Sequence, residues 1–174
     1  VLSTFDEYAL ELALRVKDQT DAHITVITFG SGDSVDILRH SLAMGADDAI
    51  LVEDVPFQEW DCINTANILA KAVQKCAVPD LILCGRQAAD WDSAQVGQLI
   101  GLNLDIPCIN VVRRIEIIDN GIRIERTLSD GYEILDITTS AVLTVGDEVG
   151  EPRLRSGLGT IKAARAEITK WSLR

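Results

Sequence analysis

Short apolar runs alternate with segments of helical apolar spacing over the first part of the chain. Runs typical of strands cover 23–29, 48–53 and 81–84. Apolar residues recur every three or four positions in the segments around them, which are about 4–17, 35–44, 61–76 and 93–104. The run at 81–84 is apolar at every position, which predicts a strand buried on both faces. The alternation predicts a Rossmann-like α/β fold, with a parallel sheet and helices on both faces.

The pattern changes after Pro107, where strand-like segments follow one another without a helix between them. Segments 109–118, 122–128 and 132–137 are separated by Asp119-Asn120-Gly121 and by Ser129-Asp130-Gly131. Asn-Gly and Asp-Gly pairs are strong short-range signals for a tight hairpin. We therefore expect an appended antiparallel β-ribbon at about 108–138, after which 141–145 returns to the parallel sheet.

The charge divides the chain unevenly. Residues 1–150 carry 10 Lys/Arg and 25 Asp/Glu, a net charge of −15, whereas residues 151–174 carry 6 and 2, a net charge of +4. The total of −11 speaks against nucleic-acid binding, which depends on basic contacts. We interpret residues 1–150 as one α/β domain and residues 151–174 as an extended C-terminal arm that lies in solvent or against an acidic surface.

Reactive side chains form no recognisable catalytic or metal-binding group. The cysteines show no Cys-x-x-Cys pair and no His at ligand spacing, so we expect free thiols in a reducing compartment. No nucleophile, base and orienting group converge on one motif, and we assign no catalytic residue and no metal site. No apolar run approaches the roughly 18 residues that a membrane-spanning helix needs.

The loop after the strand at 81–84 is the strongest candidate for a ligand site, because ligands of open α/β sheets bind at the carboxyl ends of strands. Ser93 is suited to cap the next helix, and Asp92 could fix the loop while N–H groups of 93–96 meet a phosphate. Arg86 could neutralise phosphate charge, and Gly97 would allow close approach of a neighbour or ligand. A plain strand–helix connection, with Asp92 as a turn residue, explains the same residues.

Three segments carry a resemblance to a known family. Residues 85–98, GRQAADWDSAQVGQ, resemble the nucleotide-binding signature of the electron-transfer flavoprotein β subunit. Residues 42–47, LAMGAD, and the pair Glu151-Pro152-Arg153 with Ile161-Lys162-Ala163 resemble two further family motifs in the same order. The resemblance implies a fold like that of the adenine-nucleotide α-hydrolases. It also implies a β subunit that pairs with an α subunit and passes electrons between flavin dehydrogenases and an acceptor.

The resemblance places a nucleotide site at two strand ends. The residues that it implies are Phe29, Gly30, Arg86, Asp92, Ser93, Ala94, Gln95, Val96 and Gly97. AMP-binding members read Asn-Gln-Thr-Gly where this chain has Ala-Gln-Val-Gly at 94–97. The change removes two polar side chains that could bond an AMP phosphate. It therefore favours the longer pyrophosphate of FAD, as in the electron-bifurcating members that oxidise NADH, with AMP as the alternative.

The C-terminal arm matches the family's segment that docks on an acyl-CoA dehydrogenase or another flavin dehydrogenase. The family has a Leu-Pro pair before its Ile-Met-Lys-Ala run, and the matching positions here are Gly157 and Leu158. These two residues and Ile161 are the candidate docking residues. A solvated linker is the alternative that composition alone supports.

The resemblance also bears on what surrounds this sequence. Family members begin with a further strand and loop, so we expect an N-terminal segment that holds part of the nucleotide pocket to be absent before Val1. The expected location is the cytoplasm, or the mitochondrial matrix in a eukaryote.

Two rival functions stay open. Residues 31–34, Ser-Gly-Asp-Ser, are a shortened form of the Ser-Gly-Gly-x-Asp-Ser loop of ATP pyrophosphatases, which have a related fold. An ATP-binding module or enzyme is therefore one rival, although its phosphate cradle depends on the complete run of backbone N–H groups. The other rival is a nucleotide-sensing module without a redox partner.

Overall fold

The computed structural model describes residues 2–53, 61–76, 79–88 and 92–173. Its helices are α1 (Thr4–Lys17), α2 (Val35–Met44), α3 (Cys62–Lys75), α4 (Val96–Leu104) and α5 (Gly157–Arg165). Its strands are β1 (Thr25–Gly30), β2 (Asp48–Glu53), β3 (Leu81–Gly85), β4 (Cys108–Ile118), β5 (Gly121–Leu128), β6 (Gly131–Ile137), β7 (Ala141–Val145) and β8 (Thr169–Ser172). Short 3-10 turns lie at Gly32–Ser34 and Asp147–Val149.

The described strands form two sheets. The first has the order β1-β2-β8 and is parallel throughout. The second has the order β3-β7-β4-β5-β6, in which β3, β7 and β4 are parallel and β4, β5 and β6 are antiparallel. The α/β fold class and its appended antiparallel ribbon are thereby confirmed.

Strand β7 shows how helices cover both faces of the second sheet. Ala141, Leu143 and Val145 belong to a buried cluster that contains residues of α1. Val142, between them, belongs to a different cluster that contains Ile100 of α4. Since successive side chains of a strand point to opposite faces, α1 and α4 lie on opposite sides of the sheet.

Strand β3 differs from its prediction. All five residues of the strand are half-buried, whereas the apolar run at 81–84 predicts full burial on both faces. The reason is its position, because β3 pairs with β7 and is the first strand in the order of its sheet. Among the described strands, a continuous apolar run therefore marks an edge strand here.

Helix α1 joins the two sheets. Ala9 and Leu12 pack into the cluster formed by the second sheet, whereas Leu10 and Leu14 pack with residues of α2 and β2. Among the described residues no strand pair connects β1 with β3. The contact between the sheets is therefore made by helix side chains.

The C-terminal arm is not extended as predicted. Gly157–Arg165 form α5, and Thr169–Ser172 add β8 to β2 in parallel. Two glycines in the first turn of α5 lower its helix propensity, which hides the helix in the sequence. Packing explains one of them, because a Cβ at Gly159 would lie 2.3 Å from the carbonyl oxygen of Ala43 in α2.

Candidate functional site

Arg86 is fixed where β3 ends. Its N–H group donates to the Val145 carbonyl at 2.7 Å, which extends the pairing of β3 with β7 by one residue. Its guanidinium carbon lies 5.3 Å from the centre of the Phe5 ring, and its Nη1 lies 3.4 Å from Glu148 Oε1. A cation is therefore held at the carboxyl edge of the second sheet by groups from α1 and from the segment after β7.

Helix α4 begins later than the sequence predicts. Its first residue is Val96, and the residue before it, Gln95, makes no side-chain capping bond, so Ser93 is not the cap. Asp92 and Ala94 have left-handed φ angles of 51° and 53°, which a right-handed helix cannot contain. Their conformation delays the start of the helix by three residues.

The later start changes which N–H groups are available at the helix terminus. The Leu99 N–H donates to the Gln95 carbonyl at 3.0 Å. Within α4, the N–H groups of Val96, Gly97 and Gln98 therefore have no acceptor. Such a terminus favours an anion, so these groups can take the role first expected of residues 93–96.

Gly97 is needed for packing against the sheet. A Cβ at this position would lie 2.7 Å from Cγ2 of Thr144 in β7 and 3.7 Å from Cβ of Cys84 in β3. Gly97 therefore allows α4 to pack closely against the sheet. The first turn of α4 lies directly over the last residues of β3 and β7 as a result.

The first turn of α3 lies beside that of α4. The Sγ of Cys62 is 3.5 Å from Oε1 of Gln95. Asp61 caps α3 and accepts a hydrogen bond from the Asn64 N–H at 2.7 Å. Two helix N-termini thus meet at one place, which sequence reasoning missed because no local pattern reports that two distant helices are neighbours.

Phe29 and Gly30 lie at the carboxyl end of β1, in the other sheet. A Cβ at Gly30 would lie 2.4 Å from Oγ of Ser34, so the chain turns tightly there. The Ser34 N–H donates to the Ser31 carbonyl at 2.9 Å. That donor is therefore used within the loop, which weakens the comparison with the phosphate loop of ATP pyrophosphatases.

The Glu-Pro-Arg motif is anchored to α1 by a buried carboxylate. Glu11 is 4% exposed, and its Oε2 accepts from the Nε of Arg153 at 2.9 Å and from the N–H of Arg153 at 3.0 Å. Arg15 Nε donates to Glu11 Oε1 at 2.8 Å, and Arg153 Nη2 reaches Asp18 Oδ2 at 2.7 Å. Burial alone would raise the pKa of Glu11, but the hydrogen bonds from Arg153 and Arg15 outweigh it, so the pKa lies below its ordinary value.

Helix α5 is held on α2 and exposes an apolar stripe. Ser156 caps it by accepting from the Gly159 N–H at 2.8 Å, and Arg39 of α2 donates to the Ala163 carbonyl. Leu158 and Ile161 are 64% and 55% exposed, and Leu154, which the sequence did not single out, is 93% exposed. The candidate docking residues are therefore brought together, with Gly157 as the first residue of α5.

The remaining chemistry of the described residues gives no other site. Burial raises the pKa of the Cys84 thiol to about 12, and it also raises the pKa of Cys76 and Cys108. Within the described ranges, no group of three or more His, Cys, Asp and Glu side chains could hold a metal ion. None of the described helices has the length and apolar character needed to cross a bilayer.

Comparison with known proteins agrees with the sequence motifs. A family model described as the electron transfer flavoprotein domain matches residues 1–174. The chain is 41% identical to the electron transfer flavoprotein subunit beta of Thermoanaerobacterium thermosaccharolyticum, over 98% of this chain and 65% of that protein. It is 38% identical to the subunit of the same name from Megasphaera elsdenii, over 97% of this chain and 65% of that protein.

A third relative belongs to a larger assembly. The chain is 38% identical to the caffeyl-CoA reductase-Etf complex subunit CarD of Acetobacterium woodii, over 99% of this chain and 66% of that protein. The chain therefore spans just under two thirds of the length of these curated relatives.

Proposed function

Because the chain belongs to the electron transfer flavoprotein family, we propose that it acts as part of a β subunit that binds an adenine nucleotide and serves electron transfer between flavin dehydrogenases and an acceptor. The observation that carries this proposal is the carboxyl edge of β3. There the N–H groups of Val96, Gly97 and Gln98, which have no acceptor within α4, lie over the sheet, while Arg86 supplies a cation. This donor set fits the phosphate part of a nucleotide.

Main-chain groups would hold the nucleotide at this edge. Val96 and Gly97 offer N–H donors in the first turn of α4, and the neighbouring N-terminus of α3 adds a second positive helix end. Phe29 and Gly30 would border the nucleotide from the end of β1. When FAD is bound, the flavin supplies the redox chemistry, and the protein supplies orientation and electrostatics.

We favour FAD over AMP as this nucleotide, with NADH as an electron donor. Ala94 and Val96 offer no polar side-chain atom to bond an AMP phosphate, so recognition would depend on main-chain donors, which leaves room for the longer pyrophosphate of FAD. The test is to denature the purified αβ complex and quantify the released nucleotides. Two FAD and no AMP per αβ pair is the expected result, and one FAD with one AMP would refute the choice of FAD.

The partners that we propose are an α subunit and a flavin dehydrogenase, such as an acyl-CoA dehydrogenase. The dehydrogenase would dock on α5, where Leu154, Leu158 and Ile161 expose apolar surface on a segment of net charge +4. Exposed apolar side chains with a charged rim are typical of transient docking sites.

Leu158→Ala tests this docking site. Removing an exposed leucine should change the free energy of unfolding by no more than about 0.5 kcal/mol. It should raise the Michaelis constant for the dehydrogenase severalfold, because an anchoring apolar contact is lost. Leu173→Ala, an exposed leucine beyond β8, is the matched control. If electron transfer to every tested dehydrogenase stays unchanged in Leu158→Ala, the docking site lies elsewhere.

A further inference from the structure

A glutamate at the carboxyl edge of the second sheet has one oxygen without a partner. Glu148 lies in the 3-10 turn that follows β7, and its Oε1 faces Arg86 Nη1 at 3.4 Å. Its Oε2 is buried, and no described residue donates a hydrogen bond to it. A buried carboxylate oxygen without a hydrogen-bond donor destabilises the folded state, and such atoms are rare unless a ligand supplies the missing donor.

The chain makes room for this carboxylate. A Cβ at Gly146 would lie 2.3 Å from Glu148 Oε2 and 3.5 Å from Arg86 Nη1. Any side chain larger than hydrogen at residue 146 would displace the carboxylate from this position. The glycine and the unpaired oxygen therefore belong to one arrangement, in which Glu148 reaches back over the end of β7.

The carboxylate lies on the face of the sheet that α4 covers. Thr144 contacts the first turn of α4 at Gly97, and Gly146, two residues on in extended backbone, faces the same way. At about 3.3 Å per residue, Gly146 lies about 7 Å beyond Thr144 along the strand direction. The unpaired oxygen of Glu148 therefore lies on the same side of the sheet as the first turn of α4, beyond that turn along the strand direction.

We infer that Glu148 is a binding residue that accepts a hydrogen bond from a ribose hydroxyl of the adenine nucleotide. This inference rests on the proposed nucleotide site. An ionised phosphate cannot donate to a carboxylate, whereas the ribose hydroxyls can, and they lie nearer to the phosphate than the adenine amine does. Arg86, beside the carboxylate, offsets the repulsion between Glu148 and the phosphate.

The experiment compares AMP with 2′-deoxy-AMP and 3′-deoxy-AMP in calorimetric titrations of the purified complex after its nucleotides have been removed. The unsubstituted protein should bind one of the deoxy analogues about tenfold more weakly than AMP, as expected for the loss of a hydrogen bond to a charged group. Glu148→Ala should bind AMP more weakly and should bind that analogue and AMP equally well. Glu151→Ala removes a neighbouring exposed carboxylate and should keep the tenfold difference.

If thermal unfolding shows that Glu148→Ala is unstable, Glu148→Met replaces it, because methionine keeps the side-chain length but has no carboxylate and only a weakly accepting sulfur. If these variants prefer AMP over the deoxy analogue by the same factor as the unsubstituted protein does, Glu148 does not bind the ribose. Equal binding of AMP and both analogues by the unsubstituted protein would overturn the role of Glu148 as well. If the unsubstituted protein binds neither AMP nor FAD, the proposed nucleotide site itself is refuted.

Discussion

Gly97→Ala tests whether the glycine of the candidate loop serves packing or ligand approach. The new Cβ would lie 2.7 Å from Cγ2 of Thr144, well inside the 3.5–4.0 Å at which two carbons attract each other. Overpacking of this kind costs about 1–3 kcal/mol. Alanine in place of glycine within a helix returns about 0.5–1 kcal/mol. Taking the middle of both ranges, we expect a net loss of about 1 kcal/mol in the free energy of unfolding.

The matched background is Thr144→Ser, which removes Cγ2 and keeps the hydroxyl. That hydroxyl accepts a hydrogen bond from the Val111 N–H at 3.2 Å, so the link to β4 survives. With the clashing methyl gone, Gly97→Ala should be neutral or stabilising, because the gain in helix propensity remains. The two substitutions should thus be coupled by at least about 1 kcal/mol in a double-mutant cycle.

Urea unfolding followed by circular dichroism gives the four free energies, and titration with AMP gives the affinities. Equal destabilisation by Gly97→Ala in both backgrounds would refute the packing explanation. An unchanged free energy of unfolding with a large loss of AMP affinity would show that Gly97 faces the ligand.

Two further predictions concern α1 and α3. The folded pKa of Glu11 is lowered, so its stabilising effect is complete above about pH 4.5 and is lost as the pH falls through the folded pKa. Glu11→Gln should lower the free energy of unfolding by about 3 kcal/mol at pH 7. Below pH 5 the free energy of unfolding of the variant should fall less steeply with pH than that of the unsubstituted protein, and parallel curves for the two proteins would contradict this. Iodoacetamide should label Cys62 faster than Cys84, whose thiol is buried, and bound AMP should slow the labelling of Cys62. Peptide mass spectrometry measures the labelling rates, and a Cys62 rate that AMP leaves unchanged would place the nucleotide away from α3.

The regular elements were predictable because local signals determine them. The β-ribbon follows from the turns before Gly121 and Gly131, and the structure has hairpins at both. The helix ending before Gly45 was predictable too, since Gly45 adopts a φ of 134° that favours glycine. Such features depend on a few neighbouring residues, and a single sequence contains them in full.

The parts that could not be predicted depend on tertiary contacts. The left-handed angles of Asp92 and Ala94 move the start of α4 although Ser93 is a good capping residue. Glu11 and Arg153 meet only in the folded chain, and their types alone do not reveal the pairing. The same holds for Glu148, whose relation to Arg86 depends on the neighbouring ends of β3 and β7.

Helix α2 sets the distance between the end of β1, which would border the nucleotide, and the proposed docking surface on α5. It begins just after the loop that follows Gly30, and near its other end the Ala43 carbonyl packs against Gly159 of α5. Ten helical residues span about 15 Å. A dehydrogenase held on α5 would therefore be anchored about one helix length from the end of β1. The surface that would hold the partner and the strand end that would border the nucleotide would then be different places on the subunit, so substitutions on α5 could weaken docking without touching nucleotide binding.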